Sequence, residues 1–193
     1  RSWGRSGRNR GIGIETRDTP WWRWAQNYSR YTSVSTEDLQ PIVTLCHRRW
    51  TVPLVAAIGD GQRFAVLQRE LGVARQTLKR AIETAVQTGL VRRNPGYGHP
   101  LRPEYLLTRD GKRIARACAD VVRVAGDDRA DLIGRKWSLP VLASLSSGNE
   151  RFSEIAWSVP GATPRALTLA LTDLEAARCV RRDLVDERPR SEE

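Results

Sequence analysis

Methionine is absent from the 193 residues, histidine occurs only as His47 and His99, and cysteine only as Cys46, Cys118 and Cys179. Without methionine the first residue is not an initiator, so the N-terminus reads as processed or incompletely represented. The few histidines and cysteines never fall at zinc-ligand spacing, and on a helix the neighbours Cys46 and His47 would point apart. An odd, scattered set of thiols argues against a secreted disulfide scaffold and for a reducing compartment, the cytoplasm. Carboxylates form no pair suited to acid–base work, and Gly11-Ile12-Gly13 lacks the rest of a phosphate-binding loop. An enzyme, a metal site and a bound cofactor are therefore not expected. No stretch approaches the ~18–20 apolar residues that cross a bilayer, and no apolar segment opens the chain as a signal peptide would. At 40% hydrophobic residues, the chain can still bury a core.

What is abundant is arginine. Only Lys79, Lys112 and Lys136 are lysines among 32 cationic residues, and the chain carries net +10. Genomic base composition accounts for the arginine-to-lysine ratio, but not for the excess over acids. The excess is local. Residues 42–111 are net +6, residues 1–41 net +3, residues 112–131 net +1, and residues 132–193 neutral. A concentrated positive block predicts a polyanionic partner for that block.

The chain also repeats itself. Arg49-Trp50-Thr51-Val52-Pro53-Leu54-Val55 returns as Lys136-Trp137-Ser138-Leu139-Pro140-Val141-Leu142. Gln62-Arg63-Phe64-Ala65 returns as Glu150-Arg151-Phe152-Ser153, and the segment Leu78 to Arg93 returns as Leu167 to Arg182. Three blocks in one order, each offset from the last by a single inserted residue, are two copies of one module.

In the first copy, Thr36 is a candidate helix cap with Pro41 in the first turn, and Pro53 starts or kinks a second segment. Gly59-Asp60-Gly61 breaks the chain. A short helix over 63–71, a turn at Gly72 and a longer helix over 74–88 follow. Leu78, Ala81, Ile82, Ala85 and Val86 form the buried stripe of the longer helix, and Arg75, Gln76, Lys79, Arg80, Glu83 and Gln87 its outer face. Strands at Leu90–Arg93 and Tyr105–Thr108 close a hairpin with a Pro/Gly-rich tip. Helix, short helix, turn, cationic helix and hairpin is the winged helix-turn-helix order. The predicted fold class is mainly α with small β-hairpin wings (α+β), as a tandem winged helix-turn-helix.

In that arrangement the second helix of the pair enters the major groove of double-stranded DNA and presents its N-terminal residues to base edges. Arg75, Gln76, Thr77, Lys79 and Arg80 occupy those positions. Arg63 flanks them, and Arg92, Arg93 and Arg102 of the wing face phosphate or minor groove. The corresponding residues of the second copy are Arg151, Arg165, Thr168, Arg181 and Arg182. That copy is chemically weaker, because Arg75, Lys79 and Arg80 become Pro164, Thr168 and Leu169. The first copy is thus expected to dominate DNA contact, and an exposed Leu169 suits a protein interface better than a groove.

The repeated Trp-containing blocks, the Arg-Phe pairs, Pro103-Glu104-Tyr105-Leu106-Leu107-Thr108 with Gly111, and the opening Leu132-Ile133-Gly134-Arg135-Lys136-Trp137 resemble the HxlR-type winged-helix transcriptional regulators. The resemblance implies a bacterial, cytoplasmic, nucleoid-associated DNA-binding regulator that dimerises through elements flanking the winged helix. Three features depart from it. The family carries one module and pairs as homodimers, whereas this chain carries two, which could pair internally as a pseudo-dimer. Some members sense electrophiles through a cysteine about a dozen residues before the tryptophan. Asp38 and Leu39 stand there, and Cys46 and Cys179 align with Ile133 and Leu90 as small core residues. The second copy reaches Pro189-Arg190-Ser191-Glu192-Glu193 without a returning wing strand, so its wing is lost or the chain is cut short.

The expected domains are an arm (1–35), module 1 (36–111), a linking helix (112–131) and module 2 (132–193). The linking stripe Ile114, Ala117, Cys118, Val121, Val122 and Val124 suits either a dimer-type seam or packing on its own module. The arm is basic and then aromatic, with Trp21, Trp22, Trp24, Tyr28 and Tyr31. It could enter a minor groove, dock on RNA polymerase or another protein, or cover the modules. The competing reading of the whole chain is a protein-interaction scaffold built on degenerate winged helices.

Overall fold

Helical periodicity governs most of the chain. The computed structural model describes residues 12–13, 39–95 and 103–182. After a two-residue strand β1 (Ile12–Gly13), module 1 runs α1 (Gln40–Leu45), α2 (Thr51–Ile58), α3 (Phe64–Leu71), α4 (Arg75–Gln87), β2 (Val91–Arg93) and β3 (Tyr105–Leu107). Pro41 lies in the first turn of α1, as predicted, but Leu39 is the residue that flanks it. Thr36 lies outside the described residues. Gly72, left-handed at φ 61°, closes α3 and reverses the chain into α4, a conformation that glycine adopts without steric cost.

One apolar face of each helix meets the others. Leu54, Val55 and Ile58 of α2, Leu67 of α3, and Leu78, Ala81, Ile82 and Ala85 of α4 are buried together, with Val91 and Leu107 beneath the wing. Val86 departs from the predicted stripe and is exposed. One residue advances a helix by about 100°, so Val86 lies a third of a turn past Ala85 and leaves the core face. Strands β2 and β3 pair antiparallel, Val91 opposite Leu107 and Arg93 opposite Tyr105. Gln62 bonds to the other side of Tyr105 through a reciprocal backbone pair of 2.9 and 3.0 Å.

The next helix, α5 (Arg109–Ala125), begins three residues earlier than the predicted linker. Thr108 is the reason. Its hydroxyl accepts from the Gly111 amide (3.1 Å) and lies 2.6 Å from the Gly89 carbonyl, to which it donates. Gly111 is needed because a Cβ there would run into the Leu90 carbonyl. The Thr-x-x-Gly of the sequence motif thus locks the start of α5 onto the corner between α4 and β2. Helix α5 packs along α2 and against β3 and α6.

Module 2 repeats the order with α6 (Ala130–Ile133), α7 (Ser138–Ser146), α8 (Phe152–Ser158), α9 (Pro164–Ala176) and β4 (Arg181–Arg182). Thr163 caps α9 by accepting from the Ala166 amide at 3.2 Å, with Pro164 in the first turn. Leu139, Val141, Leu145, Ile155, Leu167 and Leu174 form its core. β4 pairs antiparallel with β1, Ile12 opposite Arg182 and Gly13 opposite Arg181, so the arm supplies a partner strand.

The two modules share one apolar cluster. Helix α1 packs on α7, and Arg49 of module 1 pairs with Asp131 while its methylenes cover Gly134. Arg49 also stacks 5.4 Å over Trp50, and its repeat Lys136 stacks 4.2 Å over Trp137. Among the described residues no helix is long and apolar enough to cross a membrane, and no His/Cys/Asp/Glu group could hold a metal ion.

Candidate nucleic-acid interface

Helix α4 owes its two faces to sequence order. Its apolar residues turn inward, which leaves Arg75, Gln76, Lys79 and Arg80 exposed along the N-terminal half and Thr77 half-buried. Few contacts tie these side chains down. Lys79 lies 3.8 Å from Glu83, an exposed i,i+4 pair that contributes little. The Arg75 guanidinium rests 5.1 Å over the Phe64 ring, which holds it at the start of the helix.

A chain of contacts continues from there into the wing. The Phe64 amide donates to Glu104 at 3.4 Å, and Glu104 pairs with Arg93 at 3.3 Å. Arg92 is exposed and has no ion pair among the described residues. Arg63, flanking α3, is half-buried. Arg102 lies outside the described residues, as do His99 and the aromatic cluster of the arm. The structure therefore links the α4 face to the base of the wing.

Module 2 has the same backbone and a different surface. Arg151, Arg165, Thr168, Arg181 and Arg182 are all exposed. Thr168 turns its hydroxyl back to the Pro164 carbonyl at 2.9 Å. Glu154 accepts from the Glu150 and Arg151 amides at 3.0 and 2.9 Å and holds the start of α8. Pro164 replaces Arg75, so among the described residues no guanidinium covers Phe152, which is 36% exposed. Leu169 is 62% exposed and Trp157 is 92% exposed. The sequence reading missed Trp157. Its signal was present, because the repeat offset places Trp157 where module 1 carries Arg69.

The thiols are buried, Cys46 and Cys118 beside the inter-module seam. Burial pushes both up to about 12, and for Cys46 the nearby Cys118 adds to the effect. Cys179 is also raised by burial, opposed by the Arg129 guanidinium beside it. Thiols held in the protonated form are poor nucleophiles.

Two copies of helix, helix, turn, helix and strand define a tandem winged helix-turn-helix protein, the class whose second helix enters the DNA major groove. The HxlR-like helix-turn-helix family matches residues 45–127 and 132–193, once over each repeat, and the chain belongs to that family. It is similar to the uncharacterized HTH-type transcriptional regulator YvaP of Bacillus subtilis, 34% identical over 59 residues that span 31% of this chain and 55% of that protein. It is also 42% identical over 57 residues to an HTH-type transcriptional regulator of Methanothermobacter thermautotrophicus, covering 30% of this chain and 44% of that one. An HTH-type transcriptional regulator of Mycobacterium bovis is 34% identical over 82 residues, 42% of this chain and 52% of that protein. The chain spans about half the length of the curated relatives it matches. No solved structure matches it.

Proposed function

We propose that the protein binds double-stranded DNA in a sequence-specific way and regulates transcription, with its two modules acting as an intramolecular pseudo-dimer. The observation that carries this reading is the exposed, lightly paired cationic half of α4, joined through Arg75, Phe64, Glu104 and Arg93 to the wing. Arg75, Gln76, Lys79 and Arg80 read or approach bases, and Arg63, Arg92, Arg93 and Arg102 hold phosphates. Arg151, Arg165, Thr168, Arg181 and Arg182 make the lesser contacts of module 2. The packing of α1 on α7 and the Arg49–Asp131 pair support pairing within one chain. Two unequal modules then favour an asymmetric operator, with half-sites about one helical turn apart. Association with the nucleoid in the cytoplasm follows from this activity.

The test is duplex-DNA affinity of Arg75→Ala/Lys79→Ala against that of Arg165→Ala, measured across a salt series. The double substitution is expected to weaken binding the more and to flatten the salt slope by about 1 for each of the two cations that neutralises a phosphate. Equal losses, or binding indifferent to salt, refute the assignment.

The surface of module 2 favours a second role for that module. Trp157 and Leu169 stand in solvent where module 1 presents Arg69 and Arg80. A protein contact, with RNA polymerase or another copy of the chain, suits such a face better than phosphate does. Trp157→Gln should leave DNA affinity unchanged and abolish that contact, detected by co-purification with polymerase or by sedimentation.

A further inference from the structure

An open cleft lies between the C-terminal half of α5, α6, α7 and the corner after α9. Its walls are apolar: Val121, Val124, Leu132, Leu139 and Leu142. An apolar lining of this kind is typical of small-molecule sites, in which a few polar groups orient an apolar body. Two polar groups here are unspent. Ser138 lines the cleft and is 1% exposed, yet its hydroxyl has no hydrogen-bond partner among the described residues. A buried polar group left alone is costly, and orphans of this kind call for an explanation. Thr51, its repeat in module 1, is also buried and has no partner among the described residues, but it is not part of the lining of this cleft.

Arg178 is the second unspent group. It lines the cleft without an ion pair among the described residues, in a left-handed conformation at φ 55°. Module 1 has glycine at this corner: Gly89, at φ 71°. Arginine thus stands where the backbone asks for glycine, and strain of this kind clusters at ligand sites. Of the other charged groups lining the cleft, Asp120 pairs with Arg123 at 2.9 Å, and the Arg129 guanidinium lies beside the Cys179 thiol.

We propose that this cleft binds a small organic anion with an apolar body, such as an aromatic or branched aliphatic carboxylate. The carboxylate takes the Ser138 hydroxyl and the Arg178 guanidinium, and the body fills the space between α5 and α7. The proposal goes beyond DNA binding, and its test does not use DNA, so either reading can fail alone.

The probe is 2-naphthoate, titrated calorimetrically into the full chain at physiological salt. One saturable site per chain is expected. Ser138→Ala should weaken it about 3–10-fold, as the loss of one hydrogen bond does. Arg178→Gly should weaken it at least as much, because the bond is charge-assisted. The uncharged 2-naphthalenemethanol should bind more weakly and be insensitive to Arg178→Gly. Val124→Trp fills the cleft and should abolish binding while cooperative unfolding persists; should that variant fail to fold, Leu142→Phe serves. No saturation at millimolar probe overturns the proposal, as does binding untouched by the filling variants, which would mark an apolar anion on a cationic surface. Self-association of the chain that Val124→Trp abolishes would overturn it too, with a second copy covering the cleft.

Discussion

Arg178→Gly should make the protein more stable. The residue sits in the left-handed region at φ 55°, the single non-glycine residue to do so among those described. An L-residue there loses about 1–2 kcal/mol to the clash between its Cβ and the following carbonyl. Glycine escapes that clash but gives back about 0.4–1 kcal/mol through a freer unfolded chain. The Arg178 side chain is exposed and without an ion pair among the described residues, so little packing is lost with it. The net gain is about 0.5–1 kcal/mol, or about 1–4 °C in Tm for a chain of this size. The repeat supplies its own control. At Gly89 a Cβ would meet nothing within 4 Å, so Gly89→Arg should carry the conformational cost alone and destabilise by a similar amount. Urea unfolding followed by circular dichroism, with m unchanged between variants, measures both. An Arg178→Gly protein no more stable than the parent, or a neutral Gly89→Arg, would refute the strain argument.

Further outcomes follow from the corner that starts α5 and from the thiols. Gly111→Ala pushes a methyl into the Leu90 carbonyl and should cost about 1–3 kcal/mol in the same urea assay, because neither backbone can yield easily. Thr108→Ala removes the acceptor for the Gly111 amide and should cost about 1 kcal/mol. Cys46 and Cys118 stay protonated in the fold up to about 12, against an ordinary value of 9.0. Unfolded thiols ionise above pH 9 and folded ones do not. Stability should therefore be fully present below pH 9 and fall as pH rises from 9 to 12, more gently in a Cys46→Ala/Cys118→Ala protein. The same two thiols should resist an aromatic disulfide reagent at pH 8 until urea is added.

Much of the fold was legible because it rests on local signals. Leu78, Ala81, Ile82 and Ala85 announce the buried side of α4, Gly72 marks its turn, and Thr163-Pro164 marks the start of α9. Repetition did the rest, since either copy interprets the other. The α4 cations were legible as exposed residues for the same reason. What escaped depends on distant parts of the chain. Nothing local in Ile12-Gly13 says that it pairs with Arg181–Arg182, because two-residue strands carry no periodicity. The cleft arises where three helices fail to meet, and a gap leaves no mark on any one segment. Arg178 and Trp157 are a different case. Each is visible once the copies are aligned position by position, as the places where glycine became arginine and arginine became tryptophan.

The pairing of β1 with β4 also bears on how the molecule is assembled. Module 1 closes through contacts between near neighbours in sequence and can be complete while later residues are still being made. The second wing needs a strand from the opening of the chain and another from beyond α9, so it forms last, after the longest loop has closed.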